Sequence, residues 1–577
     1  GVGLTEAAAH RSQTQLRQLQ SAGELMGRVR SSLGDVRAAH SALARSTRTA
    51  SDEVTRSRDD TRRLIRAGAE VSRGVQRLSR EATTFEAEAG RFRLPQPRRG
   101  GVLRVVFPGF DFSSRETDPL LALGLWSSEA VGQVYAPLLR FEDGALRPEL
   151  AEAFESDPAS RSFRFALRRN LLFHDGTALT AVDVKRHFER LLDPKLASPH
   201  AWMLQSVEGA DAFRAGTAPQ VVGLDADGHT LEIRLLEPRP FLPQWLALPA
   251  AGIAKRDGQG GWVGAGPYRW GPSSSSSIRL EPNPTFHRSE LPYLAAAELR
   301  SCPTAADAET LLRLGQVDLA LGAWVHAGDG LQGLIGSAAG CAFLAFGFTD
   351  GPCRDPRVRR ALRSGLDVQA WVDRYRPGAH VAQALTPPSL LDPEEGASPD
   401  APDPELVRRL FREADVTGLR LEVFNQGDGG AEADAVLFRP LLEAGLVELR
   451  SVTLEPAEFQ RRAGKGTLPL FHGHWFADYL DPDAFLYRLL HSGARTAAGP
   501  DYRNAEFDRL VEEARVAQDP ELRHQLYRRA ERQVRLDCPL IPLAHLSGSA
   551  IAKPGVQDLQ LHATPPYLRL ENLWVDS

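Results

Sequence analysis

Residues 472–483 read HGHWFADYLDPD, which sets two histidines, Trp475, Tyr479 and the aspartates Asp478, Asp481 and Asp483 within one short segment. A carboxylate between aromatic rings suits a polar ligand with a cationic end, because the rings give the pocket its walls and the carboxylate pairs with the charge. The segment reads as a strand passing into a loop. Two roles are open to Asp478: ligand partner, or cap of the following turn, the role expected of Asp481 and Asp483. His472 and His474 form an H-x-H pair that a strand would turn to one face, as two metal ligands require. No third ligand stands at a suitable spacing, and no metal is expected. Catalytic signatures are absent as well. There is no GxSxG elbow, no HExxH and no phosphate loop; the VGAGPYRW run at 263–270 lacks both GxGxxG and a GK[ST] ending. The chain reads as a binding protein without a catalytic residue or cofactor.

The elements that must position these residues fall into two unlike parts. The chain has 577 residues, 42% hydrophobic and 25% charged, with a net charge of -5. Residues 1–100 hold 19 arginines, no lysine and 11 acids, a net +8, while the remainder carries 50 bases and 63 acids, a net -13. Before residue 95 there is no proline, and alternating steps of three and four from Met26 through Leu33, Leu43, Val54, Leu64 and Val75 to Phe85 meet mostly apolar or small residues. A 3.5-residue repeat of that length predicts a long α-helical coiled coil over 1–94, with self-association through it. Its acids interrupt the arginines and no aromatic platform accompanies them, so no nucleic-acid partner is expected. The PQPRRGG run at 95–101 predicts the linker.

Beyond the linker, short β-branched runs such as 102–107 and 162–167 alternate with amphipathic helices such as 405–414 and 521–536, a mixed α/β pattern. Thr180 three residues before Asp183 predicts a capping box, with Val182, Val184, Phe188, Leu191 and Leu192 as the apolar face of the helix it starts. Asp355-Pro356 predicts an N-cap followed by proline at the first helical position. The 263–270 run predicts a crossover between lobes. No run approaches the 18 or so apolar residues of a membrane helix. Cys302, Cys341, Cys353 and Cys538 read as idle thiols, with a Cys341–Cys353 bridge as the alternative.

Six motifs in order, at 134–155, 173–194, 263–270, 355–367, 474–486 and 502–545, resemble the family 5 solute-binding proteins of ABC importers, which bind peptides, dipeptides and nickel. The resemblance spans about 102–577. It implies a two-lobed, type II periplasmic-binding-protein-like α/β module, expected as lobe I at about 102–290 and 537–577 and lobe II at about 291–536, joined by a two-strand hinge and closing on a peptide-like or other small solute. It also implies an ABC permease as partner and an extracytoplasmic location. In its A-D-Y-x-D-P motif, Asp478 is similar to the aspartate that pairs with a peptide's amino terminus; Trp475 and Tyr479 then stand as pocket wall or as core. Two departures bear on affinity: a short 238–268 segment, and Gly347 where many members carry asparagine.

Residues 21–51 and the EAGRFRL ending at 88–94 resemble the C-terminal descending helix of methyl-accepting chemotaxis signalling domains. That resemblance implies a cytoplasmic side, chemotaxis signalling partners and an alternative function as a sensory fusion, with the partner helix expected upstream of Gly1.

Overall fold

The computed structural model describes residues 97–108, 117–142, 144–274, 276–322, 330–348, 351–376, 378–393, 401–426, 430–494 and 499–576. The chain divides into two compact units, Gly1–Gln96 and Pro97–Ser577. The coiled coil expected over 1–94 lies outside the described residues. All that follows concerns the second unit.

The first lobe opens with strand β1 (Val102–Pro108) and helix α1 (Leu125–Val134). A small antiparallel sheet comes next: β2 (Ala151–Ser156), β3 (Ser162–Leu167), β4 (Leu224–Asp227) and β5 (Thr230–Arg234), in the order β2-β3-β5-β4. Between β3 and β4 lies α2 (Ala181–Leu192), begun by a capping box in which the Thr180 backbone N–H donates to the Asp183 carboxylate at 2.9 Å. Val184, Phe188, Leu191 and Leu192 are buried on its inner face. Val182, expected with them, is 38% exposed, because a residue two before Val184 falls on the far side of a 3.6-residue turn. A one-turn helix, α3 (Leu242–Trp245), buries Trp245.

A second, large sheet unites the lobes. Its remaining strands are β6 (Tyr268–Ser273), β7 (Ser277–Pro282), β8 (Ala296–Cys302), β9 (Leu319–Leu321), β10 (Gln332–Phe346), β11 (His380–Val381), β12 (Leu419–Gln426), β13 (Val447–Leu454), β14 (Leu470–Phe476) and β15 (Leu540–Ala552). The order is β6-β7-β8-β1-β9-β15-β10-β14-β12-β13, with β11 on β15. Two strands cross the whole molecule. β15 pairs with β9 at Ala550–Ala552, on the first-lobe side, and β10 pairs with β14 from Gly340 to Phe346, on the second. Their mutual register shifts at Ile335/Ala338 and Ala338/Gly340, where bulges bend the pair between the lobes.

This corrects the expected lobe limits. Strand β8, assigned to the second lobe, pairs in parallel with β1 from Val102↔Ala296 to Pro108↔Cys302, so it belongs to the first-lobe sheet. The exchange falls near 336–340 and 547–549 instead of at 290/291 and 536/537. The 263–270 run is likewise no crossover between lobes. It returns within the first lobe, where Gly266 N–H donates to Val134 O at 2.9 Å and a Cβ on either Gly264 or Gly266 would meet Val134 O within 2.6 Å.

In the second lobe, α4 (Pro356–Gly365) starts as its sequence requires, with Asp355 accepting from the Arg357 backbone N–H at 2.7 Å. Helices α5 (Val368–Tyr375), α6 (Pro404–Glu413), α7 (Ala505–Val516) and α8 (Pro520–Asp537) complete the set used below. Gly347 is demanded by close approach: a Cβ there would lie 1.8 Å from Leu468 O, which excludes asparagine. The four cysteines are free, and the Cys341–Cys353 bridge is not formed. No described helix is long and apolar enough to cross a membrane.

His187 on α2 gives the fold a pH dependence. It is buried with Nδ1 against the Ala254 backbone, and its Nε2 finds no partner, so burial lowers its pKa from 6.5 to about 4. The unfolded chain takes up the proton near pH 6.5 and the folded chain refuses it until about pH 4. Stability is therefore complete above pH 6.5 and falls as the pH drops through that window, by up to about 3 kcal/mol from this residue. Thermal melts between pH 7 and 4 are expected to show that loss on top of those from His174 and His287, whose pKa burial also lowers to about 4, and His187→Phe to reduce the total by its own share; a variant with the same pH profile as the parent contradicts the assignment.

Candidate functional site

The segment carrying Asp478 leaves the end of β14 and is pinned from below by a buried carboxylate. Asp483 has no exposed surface; its Oδ2 accepts from the Tyr479 hydroxyl at 2.6 Å, its Oδ1 accepts from the Tyr527 hydroxyl at 3.2 Å, and Arg515 Nε stands 3.1 Å away. Asp481 caps the turn, accepting from the Asp483 backbone N–H at 2.9 Å, and pairs with Arg523 at 2.8 Å. Burial pushes the Asp481 carboxyl up, and Arg523 opposes that shift. Asp481 thus caps as expected. Asp483 does more, binding helices α7 and α8 to the loop through Arg515 and Tyr527.

Onto this platform dock three aromatics of the first lobe. Phe241 stacks on Tyr479 at 6.3 Å and 8°, Trp245 meets the same ring edge-on at 6.0 Å, and Trp202 lies 6.2 Å from it. Arg523 sits over Phe241 at 4.7 Å, and one continuous apolar cluster spans both lobes here. The lobes are closed on one another at this edge.

Asp478 is one residue before Tyr479 and faces the other way. It is half-buried, and among the described residues its carboxylate makes no hydrogen bond or ion pair. Burial raises its pKa, while Arg488 and His200 act in the opposite sense. His200 comes from the first lobe. Its Nε2 donates to Ala122 O at 2.8 Å, and burial lowers its pKa, so it stands neutral with Nδ1 as an acceptor. Tyr567, also from the first lobe, feels the Asp478 charge, and its buried hydroxyl has no partner. Arg488 Nε and Trp202 Nε1 are buried without partners too, the Arg488 guanidinium lying 4.3 Å from the Trp202 ring centroid. Buried polar groups left open from both lobes around one carboxylate mark a place that a polar ligand completes.

The structure sorts the three residues expected to bind. Asp478 stands within electrostatic reach of Arg488 and of His200 from the first lobe. Tyr479 has no exposed surface and its hydroxyl is committed to Asp483, so it is core. Trp475 is half-buried, and its indole N–H donates to Ala484 O at 2.8 Å, bracing the loop on which Asp478 rides. His472 and His474 do share a face, but His472 Nε2 pairs with buried Asp434 at 2.7 Å, and no group of three metal-ligating side chains forms among the described residues. Sequence reading missed His200, Trp202, Arg488 and Tyr567. His200, Trp202 and Tyr567 lie far from Asp478 along the chain and gave no signal; Arg488 lies only ten residues on, but in the π-turn Leu486–Leu490, which the sequence did not announce.

Residues 145–497 match the model of the bacterial extracellular solute-binding proteins, family 5. The chain is 28% identical over 472 residues to the probable deoxycholate-binding periplasmic protein YgiS of Escherichia coli, covering 75% of this chain and 86% of that one. It is 26% identical over 450 residues to the periplasmic oligopeptide-binding protein OppA of the same organism, covering 72% and 82%. Among solved structures it shares its fold with the ABC transporter-associated periplasmic binding protein DppA from Helicobacter pylori in complex with peptide STSA, with a TM-score of 0.71 and 22% identity over 84% of this chain and 99% of that one.

The two carboxylates separate stability from binding. Asp483→Asn leaves Arg515 buried without its counter-ion and is expected to cost about 3–5 kcal/mol. Asp478→Asn removes an unpaired half-buried charge and is expected to leave the melting temperature unchanged or raise it. Thermal denaturation of both variants checks this; equal losses contradict it.

Proposed function

Since the chain belongs to family 5 of the bacterial extracellular solute-binding proteins, we propose that it captures a peptide-like solute between its lobes, with Asp478 pairing the solute's ammonium group, and presents it to an ABC-type importer on the extracytoplasmic side. It is a binding protein, not an enzyme. The observation that carries the peptide reading is the Asp478 carboxylate, held over a rigid buried platform with no protein partner and surrounded by unpaired polar groups of both lobes. An ammonium supplies the missing charge, and peptide carbonyls supply acceptors for Trp202 Nε1 and the Tyr567 hydroxyl. The names of OppA and of the peptide complex of DppA support the same solute class. Closure across β10 and β15 then encloses the ligand.

Calorimetric titration with di- and tripeptides tests the reading. Saturable binding is expected, weakened roughly 10- to 100-fold by Asp478→Asn or by acetylating the peptide's amino terminus. Deoxycholate, which offers Asp478 no ammonium, is expected to bind the parent and the Asp478→Asn variant alike if it binds at all. Peptide affinity indifferent to both changes contradicts the role given to Asp478.

A further inference from the structure

Helix α8 carries Arg528, Arg532 and Arg535 at spacings of four and three, which set them on one face. Together with the segment 383–393 and Arg363 of α4, that face lines a crevice in the second lobe. Its walls are mostly apolar, built from Leu385 and Leu391 of the segment, Val534 of α8, and Leu540 and Pro542 of β15. The crevice is narrow, and with its open mouth it holds about 540 Å³ of empty space. The walls are held in place. Ala382 N–H donates to Leu543 O at 3.0 Å, His545 Nε2 donates to Ala384 O at 3.0 Å, and Thr386 N–H donates to Glu531 Oε1 at 3.0 Å, so the segment is tied to β15 and to α8.

The charges lining the crevice do not cancel. Four arginines stand there against two carboxylates, Asp392 and Glu531. Asp392 takes Arg528 at 3.5 Å. Burial pushes the Glu531 carboxyl up, which lessens the charge it sets against the arginines, and its Oε2 has no partner. Thr386 is 1% exposed, and its hydroxyl is also buried without a partner. Arg363 acts on Glu531 electrically, yet among the described residues it makes no hydrogen bond or ion pair. Apolar walls with a surplus of cations complement a molecule that has an apolar chain and an anionic end, because burying the chain supplies affinity and a guanidinium fixes the anion. A narrow slot suits a linear chain.

We propose that this crevice is a second ligand site, which takes a small linear carboxylate of medium chain length, its chain along Leu385, Leu391, Val534 and Leu540 and its carboxylate on Arg363. The site shares no residue with the place around Asp478, so it stands apart from the peptide reading.

The test is calorimetric titration of the full chain with octanoate, butyrate and octanol, in the parent and in Arg363→Gln and Leu391→Ala. Arg420→Gln, which alters an exposed arginine of β12, serves as control. Circular dichroism melts establish that each variant is folded. The parent is expected to bind octanoate saturably and at least 10-fold more tightly than butyrate, which lacks the chain, or octanol, which lacks the charge. Arg363→Gln is expected to lose roughly 10-fold for octanoate and nothing for octanol. Leu391→Ala is expected to weaken octanoate and octanol alike, by roughly 3- to 10-fold, and Arg420→Gln to match the parent. Absence of saturable octanoate binding by the parent overturns the proposal. So does equal affinity for octanoate and butyrate, octanoate binding undiminished in Arg363→Gln or in Leu391→Ala, or a loss in Arg420→Gln as large as in Arg363→Gln.

Discussion

The buried Asp483 carboxylate is the interaction on which the site depends. A carboxylate with no exposed surface is tolerable only when it is bonded and its charge is balanced, and here two tyrosine hydroxyls donate to it and Arg515 stands beside it as counter-ion. Those partners come from the loop itself, from α7 and from α8, so one charge fixes three pieces of the second lobe. Tyr479, locked by this bond, presents its ring to Phe241 and Trp245 of the first lobe, and the preceding residue is thereby turned to the cleft.

The large sheet supplies the second constraint. Among the described residues only β10 and β15 run through both lobes, and at roughly 3.3 Å per residue their 15 and 13 residues are long enough to do so. Two of their three register shifts fall between Ile335 and Gly340, facing the stretch of β15 between the lobes, and the third falls at Ala342/Phe343. Among the described residues, further contact between the lobes includes the aromatic cluster, the Arg523 stack on Phe241, the Gln518 bond to Ala159 O and the open polar groups around Asp478. Such a contact changes with what fills the space between.

Much of this was legible in the sequence where the signal is local. The Thr180 capping box, the Asp355-Pro356 helix start, the strand at 162–167 and the helix at 521–536 each rest on neighbours within a few residues, and each formed close to its expected limits. The position of Asp478 followed from its motif and its aromatic setting. What failed was long-range. The pairing of β8 with β1 joins residues nearly two hundred positions apart, and nothing within 291–302 announces it. Tyr479 reads the same as pocket wall or as core until Phe241 is seen stacked on it. His200, Trp202 and Tyr567 reach Asp478 only because the lobes meet, and Gly347, a departure from the family pattern, is explained only by Leu468 passing against it.

The central claim is that a peptide-like solute fills the space beside Asp478, Arg488 and Trp202. Trp202 makes this directly observable, since its indole is stacked under Arg488 at the edge of that space. Titration of the intrinsic tryptophan fluorescence with Ala-Ala is the most direct measurement. The account predicts a saturable change that disappears in Trp202→Phe while calorimetric binding is retained. A change that persists undiminished in Trp202→Phe, or the absence of any saturable change in the parent chain, contradicts it.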